Sequence, residues 1–414
     1  MALGMLGVAI FLLVVPVAAL PSVEVSQWSL EIQWSGQEFK FNPAYLRERC
    51  TSLASVDSET LQPLFNPHEF SEDAWSFANA SAVDNQTLEV SFADGHTSQF
   101  KIDALMEELS NFRENPIQPA AYDRPQRQLW SEGHNLSTFS YHDLLSDDEV
   151  KLQLLRDMLV FGAALVQDVP TKHGFLPEFS RKLSTIKETE WGLFFNVRTI
   201  ADAKMKDLAY TPRAIGFHTD NSFRHPSPDF QLLHALKHCS CGDKAAPCPE
   251  CSVMNYMVDG FQVARDLQME NPEYFDLLST VPVRFESNGG DGTTALLHFG
   301  PHLELELADA EGNKTLKSLR YGAKAGQYAP PMEKEKADKF YKARRRFSEL
   351  LHAPQYRVQH QFREGEVLIM DNHRVLHSRS SILPADGERH VQGGYIDRDG
   401  VEMAHERLRR RYSP

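Results

Sequence analysis

Apolar positions alternate with polar ones in short runs from Val23 to about Phe112: Trp28–Trp34 and Thr87–Phe92 are the clearest, with a turn at Ala93-Asp94-Gly95-His96. A period of two is the signature of strands and hairpins, so residues 22–114 are expected to form a small β-rich domain. Asn115 to Arg127 carries three prolines and few apolar residues, which suits a linker. The rhythm then changes. Ser146-Asp147-Asp148-Glu149 is a capping-box signature, and Val150, Leu154, Leu155 and Met158 follow at helical spacing up to Gly162. A strand over Ala164–Val169, closed by Pro170, and a helix over roughly Leu176–Lys187 come next. Phe230–Leu236 reads as a buried strand; Val258 ends another, and Asp259 caps a helix to about Met269. Leu303–Tyr321 predicts a hairpin turning at Asp309–Gly312, Met332–Leu351 a helix, and strands around Val358 and Val367–Met370 flank a turn at Glu364-Gly365.

Two polar segments interrupt this pattern with candidate chemistry. Gly216-Phe217-His218-Thr219-Asp220 places an imidazole and a carboxylate two residues apart, on one side of a strand. Asp371-Asn372-His373-Arg374-Val375-Leu376-His377-Ser378-Arg379 follows about 150 residues later and offers a second imidazole. Two histidines and one carboxylate can hold one face of a metal and leave the opposite face open, as in non-haem Fe(II) oxygenases. His-x-Asp alone is a weak signal; the second segment and the spacing suit a barrel whose early and late strands are neighbours. Many strands, few crossover helices and this triad together predict an antiparallel double-stranded β-helix, or jelly roll, over residues 128–414, mainly β with flanking helices.

Composition is that of a globular protein, with 42% hydrophobic and 24% charged residues among 414. A net charge of −14 argues against nucleic-acid binding. The basic runs at Arg344–Arg346 and Arg409–Arg411 read as solvated faces. Residues 1–20 carry no charge and end in Val17-Ala18-Ala19-Leu20-Pro21, as a secretory signal does, so no stable membrane span is expected after cleavage; an uncleaved anchor is the alternative. Sequons at Asn79, Asn85, Asn135 and Asn313 fit entry into the secretory pathway as a glycoprotein. Four of the five cysteines, Cys239, Cys241, Cys248 and Cys251, cluster in one loop. In an oxidising compartment they would form two structural disulfides, and in a reducing one a structural zinc knuckle. Cys50 is left over.

The two ligand segments and their surroundings resemble the γ-butyrobetaine and trimethyllysine dioxygenase family, 2-oxoglutarate- and Fe(II)-dependent hydroxylases of trimethylammonium substrates. Tyr45-Leu46-Arg47-Glu48-Arg49-Cys50, Gln231–Lys237, Val258-Asp259-Gly260-Phe261 and Asp371–Arg379 carry the likeness, which spans nearly the whole chain after residue 20. It implies iron on His218, Asp220 and His377, with His373 standing where the family usually has Trp and remaining the alternative ligand. It implies that Arg389 pairs with the distal carboxylate of 2-oxoglutarate, with Asn255 near the co-substrate. It also implies an aromatic cage for a quaternary ammonium at Trp191, Phe195, Tyr210 and Tyr395, because a cation without N–H groups is recognised by ring faces. Asp207, three residues before Tyr210, resembles the trimethyllysine enzymes. A small-molecule substrate, dioxygen, ascorbate as accessory reductant and a homodimer follow from the same likeness, as does a mitochondrial address in place of the secretory one.

Departures are as informative. The family's Asn-Asn-x-x-Arg segment aligns near Tyr321-Gly322-Ala323, without the amides, and of its N-terminal Cys-x-Cys-x-x-Cys zinc motif only Cys50 remains. Reaction type therefore transfers better than substrate, leaving as rivals a related oxygenase of another small acid or sulfonate and a secreted betaine-binding module without turnover.

Overall fold

The computed structural model describes residues 20–60, 62–64, 71–114, 125–198, 208–238, 253–287, 296–306, 314–322, 325–383 and 389–412. Asp207, Asn313, the four clustered cysteines, the turn at 309–312 and nearly all of the leading apolar stretch lie outside them. The chain divides into two compact units, Met1–Ala121 and Tyr122–Pro414.

The first unit holds two three-stranded antiparallel sheets. One comprises Ser22–Val25, Leu30–Trp34 and Gln37–Phe41; the other Phe77–Ala82, Thr87–Phe92 and Thr97–Lys101. Alternate residues Leu30 and Ile32, and Leu88, Val90 and Phe92, turn inward and form one core with Phe39 and Leu46. Gly95 takes φ +87° in the turn after Phe92, as the sequence requires of it. Cys50 is buried, and its Sγ lies 3.1 Å from Ser52 Oγ, 3.0 Å from Ser98 Oγ and 3.1 Å from His96 Nε2. Burial alone would push this thiol up, but hydrogen bonds from Ser52, Ser55 and Ser98 outweigh it and hold the pKa below its ordinary value. One thiol, one imidazole and serine hydroxyls do not fit a zinc ion, which takes four thiolate, imidazole or carboxylate ligands. Hydrogen bonds close this corner of the unit.

In the second unit a six-stranded sheet runs in the order Ser137–Ser140, Ala163–Gln167, Val367–Asp371, Phe230–Lys237, His390–Ile396, Phe195–Arg198. A four-stranded sheet runs Ile215–His218, Val375–Arg379, Asn255–Asp259, Val358–His360. All pairs in both are antiparallel except Ser137–Ser140 against Ala163–Gln167. Leu165, Ala235, Leu368 and Met370 of the larger sheet pack against Met257, Val358 and Val375 of the smaller, so the sheets share an apolar interior of the jelly-roll kind. The intervening residues Ala164, Val166, Leu232, Val367 and Ile369 face the other way. They meet Leu154, Leu155 and Met158 of the Asp148–Val160 helix and Val401 and Leu408 of the Arg398–Tyr412 helix. Each fully buried Val, Leu, Ile or Met side chain among them contributes about 1.5–3 kcal/mol. Helices Gly260–Glu270, Pro272–Thr280 and Lys334–His352 cover the smaller sheet through Phe261, Leu278, Phe340 and Phe347.

Asp259 caps its helix as expected, accepting from Phe261 N at 3.0 Å. Its carboxylate also meets Arg374, which is fully buried. The Arg374 Nε and Nη2 lie 3.1 and 2.8 Å from the two carboxylate oxygens, Nη1 donates to Val160 O, and Nη2 also to Gln128 O. Two sequence expectations shift. Asp147, not Ser146, is the cap of the Asp148–Val160 helix. The helix expected to run to Lys187 stops at Ser180. Ser180 Oγ bonds back to Leu176 O, Ser184 Oγ bonds Asp397 O, and Ile186 bridges to Ile396. Ser184 and Ile186 thus spend their hydrogen bonds on the end of the His390–Ile396 strand, while the Ser180 hydroxyl turns back on its own helix.

Candidate active site

His218 and His377 are direct cross-strand partners on neighbouring strands of the smaller sheet, with ring centroids 4.2 Å apart. Strand pairing thus brings together two residues distant in sequence. Asp220 arrives differently. The strand ends at His218, so the two-residue pleat does not carry the carboxylate; side-chain clamps on the following loop do. Asn372 Oδ1 accepts from Asp220 N at 2.7 Å, and its Nδ2 donates to Asp220 O and Pro228 O, both at 2.9 Å. Thr219 N donates to Tyr321 O at 2.7 Å, and Tyr321 N returns a bond to Thr219 Oγ1 at 3.2 Å. The chain then passes His218 so closely at Gly322 that a Cβ there would lie 2.3 Å from His218 Cβ.

One ligand atom from each of His218, Asp220 and His377 fits within 4.8 Å of the others, and this is the metal-capable cluster found among the described residues. His218 Nδ1 lies 2.9 Å from Gly216 O, so Nδ1–H donates there and Nε2 keeps its lone pair for a metal. That Nε2 is 3.3 Å from Asp220 Oδ1. Asp220 Oδ2 accepts from Tyr395 OH at 2.9 Å and from Gln231 Nε2. His373 is elsewhere: its Nε2 lies 3.0 Å from Ser227 Oγ and its Nδ1 3.4 Å from Asp229 Oδ1. The donor set of His218, Asp220 and His377 fits a divalent iron with an open face.

These three residues line a cavity between the two sheets that is partly open to solvent. Arg389 reaches its wall. It is buried, its Nε has no hydrogen-bond partner among the described residues, and burial, with the Arg379 charge second, pushes its pKa down to about 9. A buried guanidinium short of negative charge is the counterpart of a carboxylate ligand. Arg379 has another task, donating to the carbonyls of Ala209, Thr211 and Arg213 at 2.8–3.0 Å. Asn255 also lines the cavity and donates to His360 O.

Of the four aromatic cage positions, Phe195 lines the cavity. Tyr395 does not line it; its ring centroid lies 5.8 Å from that of Phe195, and its hydroxyl donates to Asp220. Trp191 sits in the Thr189–Gly192 turn, its backbone N–H on Thr189 Oγ1, and Tyr210 in the short Leu208–Tyr210 turn; neither contributes to the cavity wall. Gln231, Asn372 and the close approach of Gly322 were not foreseen as parts of the site. Only the inward phase of Gln231 on its strand pointed that way.

Comparison with known proteins accords with this geometry. The taurine catabolism dioxygenase TauD, TfdA family matches residues 123–395, and the gamma-butyrobetaine hydroxylase-like N-terminal family residues 22–106. The gamma-butyrobetaine dioxygenase of Pseudomonas sp. (strain AK-1) is 29% identical over 373 residues, covering 89% of this chain and 91% of the relative. The mitochondrial trimethyllysine dioxygenase of Rattus norvegicus is 28% identical over 379 residues, covering 90% and 83%. A solved asparagine oxygenase aligns over 61% of this chain and 80% of its own, at 18% identity and a TM-score of 0.43. This chain therefore belongs to the TauD, TfdA dioxygenase family, together with the γ-butyrobetaine and trimethyllysine dioxygenases, and is an Fe(II)- and 2-oxoglutarate-dependent oxidoreductase.

Proposed function

We propose that this dioxygenase hydroxylates an aliphatic carbon of a small trimethylammonium substrate such as trimethyllysine or γ-butyrobetaine. The observation that carries the reading is the joining, in one chain, of the hydroxylase-like N-terminal match to the dioxygenase match, with relatives named for these two substrates aligned over about nine-tenths of the chain. His218, Asp220 and His377 hold the iron, and Arg389 receives the distal carboxylate of 2-oxoglutarate with Asn255 beside it. Bound Fe(II) and 2-oxoglutarate supply an oxidative decarboxylation coupled to hydroxylation of an unactivated C–H bond. The chain's own contribution is placement: the ligand strands fix where a substrate methylene must lie. Phe195 turns a ring to the cavity, where a quaternary ammonium is attracted by the π face. Tyr210, following the cavity-wall residue Ala209, and Trp191 would close on the cation once it is bound, with Asp207 taking a free α-ammonium.

The test is succinate production by Fe(II)-loaded protein with 2-oxoglutarate and trimethyllysine, γ-butyrobetaine or no substrate, beside His218→Ala. Succinate stimulated by one betaine and lost in the variant is expected, and names the substrate. Turnover with no stimulation by either betaine would discard the substrate class.

We also propose that the protein travels the secretory route. Asn79, Asn85 and Asn135 are all exposed, leaving room for a glycan at each. Protein made in eukaryotic cells should lose mass on treatment with an N-glycosidase, by smaller steps in Asn79→Gln, Asn85→Gln and Asn135→Gln. An unchanged mass would contradict this route.

A further inference from the structure

We infer that Gln231 and Tyr395 are positioning residues that hold Asp220 as a one-oxygen metal ligand, so that Tyr395 serves the metal and not the cation cage. This rests on the ligand set proposed above. The geometry is specific. Gln231 and Tyr395 are cross-strand partners on the larger sheet, just as His218 and His377 are on the smaller, and the Asp220 carboxylate lies between the two pairs. Oδ1 faces His218 Nε2 at 3.3 Å, while Oδ2 accepts both the Tyr395 hydroxyl at 2.9 Å and the Gln231 amide. All three side chains are buried, with 4% of Asp220, 1% of Gln231 and 3% of Tyr395 exposed.

A carboxylate can ligate a metal through one oxygen or two. Two donors on the same oxygen occupy its lone pairs and fix the plane of the group, leaving the other oxygen to the metal. The distinction matters to this chemistry because a two-oxygen carboxylate would take a coordination position that co-substrate and dioxygen need. A cage role for Tyr395 would instead require its ring to face the cavity. Phe195 lines the cavity and Tyr395 does not, its ring centroid lying 5.8 Å from that of Phe195.

The experiment measures Mn(II) affinity by electron paramagnetic resonance titration of the full-length protein, without 2-oxoglutarate or substrate. Wild type is compared with Tyr395→Phe, Gln231→Met, Phe195→Ala and His218→Ala. The melting temperature of each metal-free variant is recorded beside it. Outer partners of metal ligands typically change affinity by about 10–100-fold. Tyr395→Phe and Gln231→Met are each expected to weaken Mn(II) binding by about tenfold or more at an unchanged metal-free melting temperature. Phe195→Ala should leave Mn(II) affinity as it is. Tyr395→Phe with wild-type Mn(II) affinity would overturn the inference, and a raised KM for the cationic substrate in the same variant would return Tyr395 to the cage. Should His218→Ala bind Mn(II) as tightly as wild type, the ligand set itself falls, and this inference with it.

Discussion

Arg374→Ala is expected to cost the second unit about 3–5 kcal/mol, the penalty of stranding one charge of a buried pair. Arg374 is wholly inaccessible to solvent, and Asp259 nearly so. The carboxylate would keep its bonds from Trp130 N and Phe261 N but lose its only cation among its described partners, while Gln128 O would lose the Arg374 donor and Val160 O would be left with Gln128 N alone. Three segments far apart in sequence are tied at this one guanidinium. Typical domains are stable by only about 5–15 kcal/mol, so the loss is a large share of the whole. Arg374→Lys should rescue little of it, since a single ammonium cannot span two carboxylate oxygens and two carbonyls. Urea unfolding followed by circular dichroism measures the effect. A midpoint shift equivalent to less than about 1 kcal/mol would mean that water reaches Asp259 and the pair is not truly buried.

Gly322→Ala is expected to have the largest effect on turnover of any change outside the ligand set. The added methyl would meet His218 Cβ at 2.3 Å and Cα at 3.0 Å, from a residue whose φ of +155° already disfavours a side chain. The neighbouring backbone has little freedom to step aside. Tyr321 and Thr219 are bonded to each other in both directions, and Gln327 Nε2 donates to Gly322 O. His218 therefore has to move. A displacement of the order of 1 Å at a reacting centre can cost about a hundredfold in rate. Succinate production under saturating Fe(II) and 2-oxoglutarate should fall by about that factor, with melting changed far less than in Arg374→Ala. Activity within threefold of wild type would show that this loop yields before the ligand strand does.

These two sites also mark what the sequence makes legible. His218 and His377 stand out as residues, and the strand pattern around them is regular enough to make them neighbours. Asp220 was identified for a reason the structure replaces: it lies past the strand end, where Asn372 and Thr219 fix the loop. Long-range clamps of this kind leave no periodic trace. Gly322 looks like an ordinary turn glycine until His218 is placed against it. Tyr395 counts as a cage aromatic only through the family resemblance; its hydroxyl, the group that reaches Asp220, says nothing in a string of letters. The helix expected to reach Lys187 stops short because Ser184 and Ile186 find partners at Asp397 and Ile396, some two hundred positions later.

Cross-strand pairing of His218 with His377 also sets an order of events in time. Chains are made from the amino end, and His377 and Arg389 come more than 150 residues after Asp220. Until the ribosome has passed residue 377, His218 and Asp220 face no partner able to complete the three-ligand grip proposed for iron. The enzyme thus becomes capable of activating oxygen only when the walls that confine the reaction already exist.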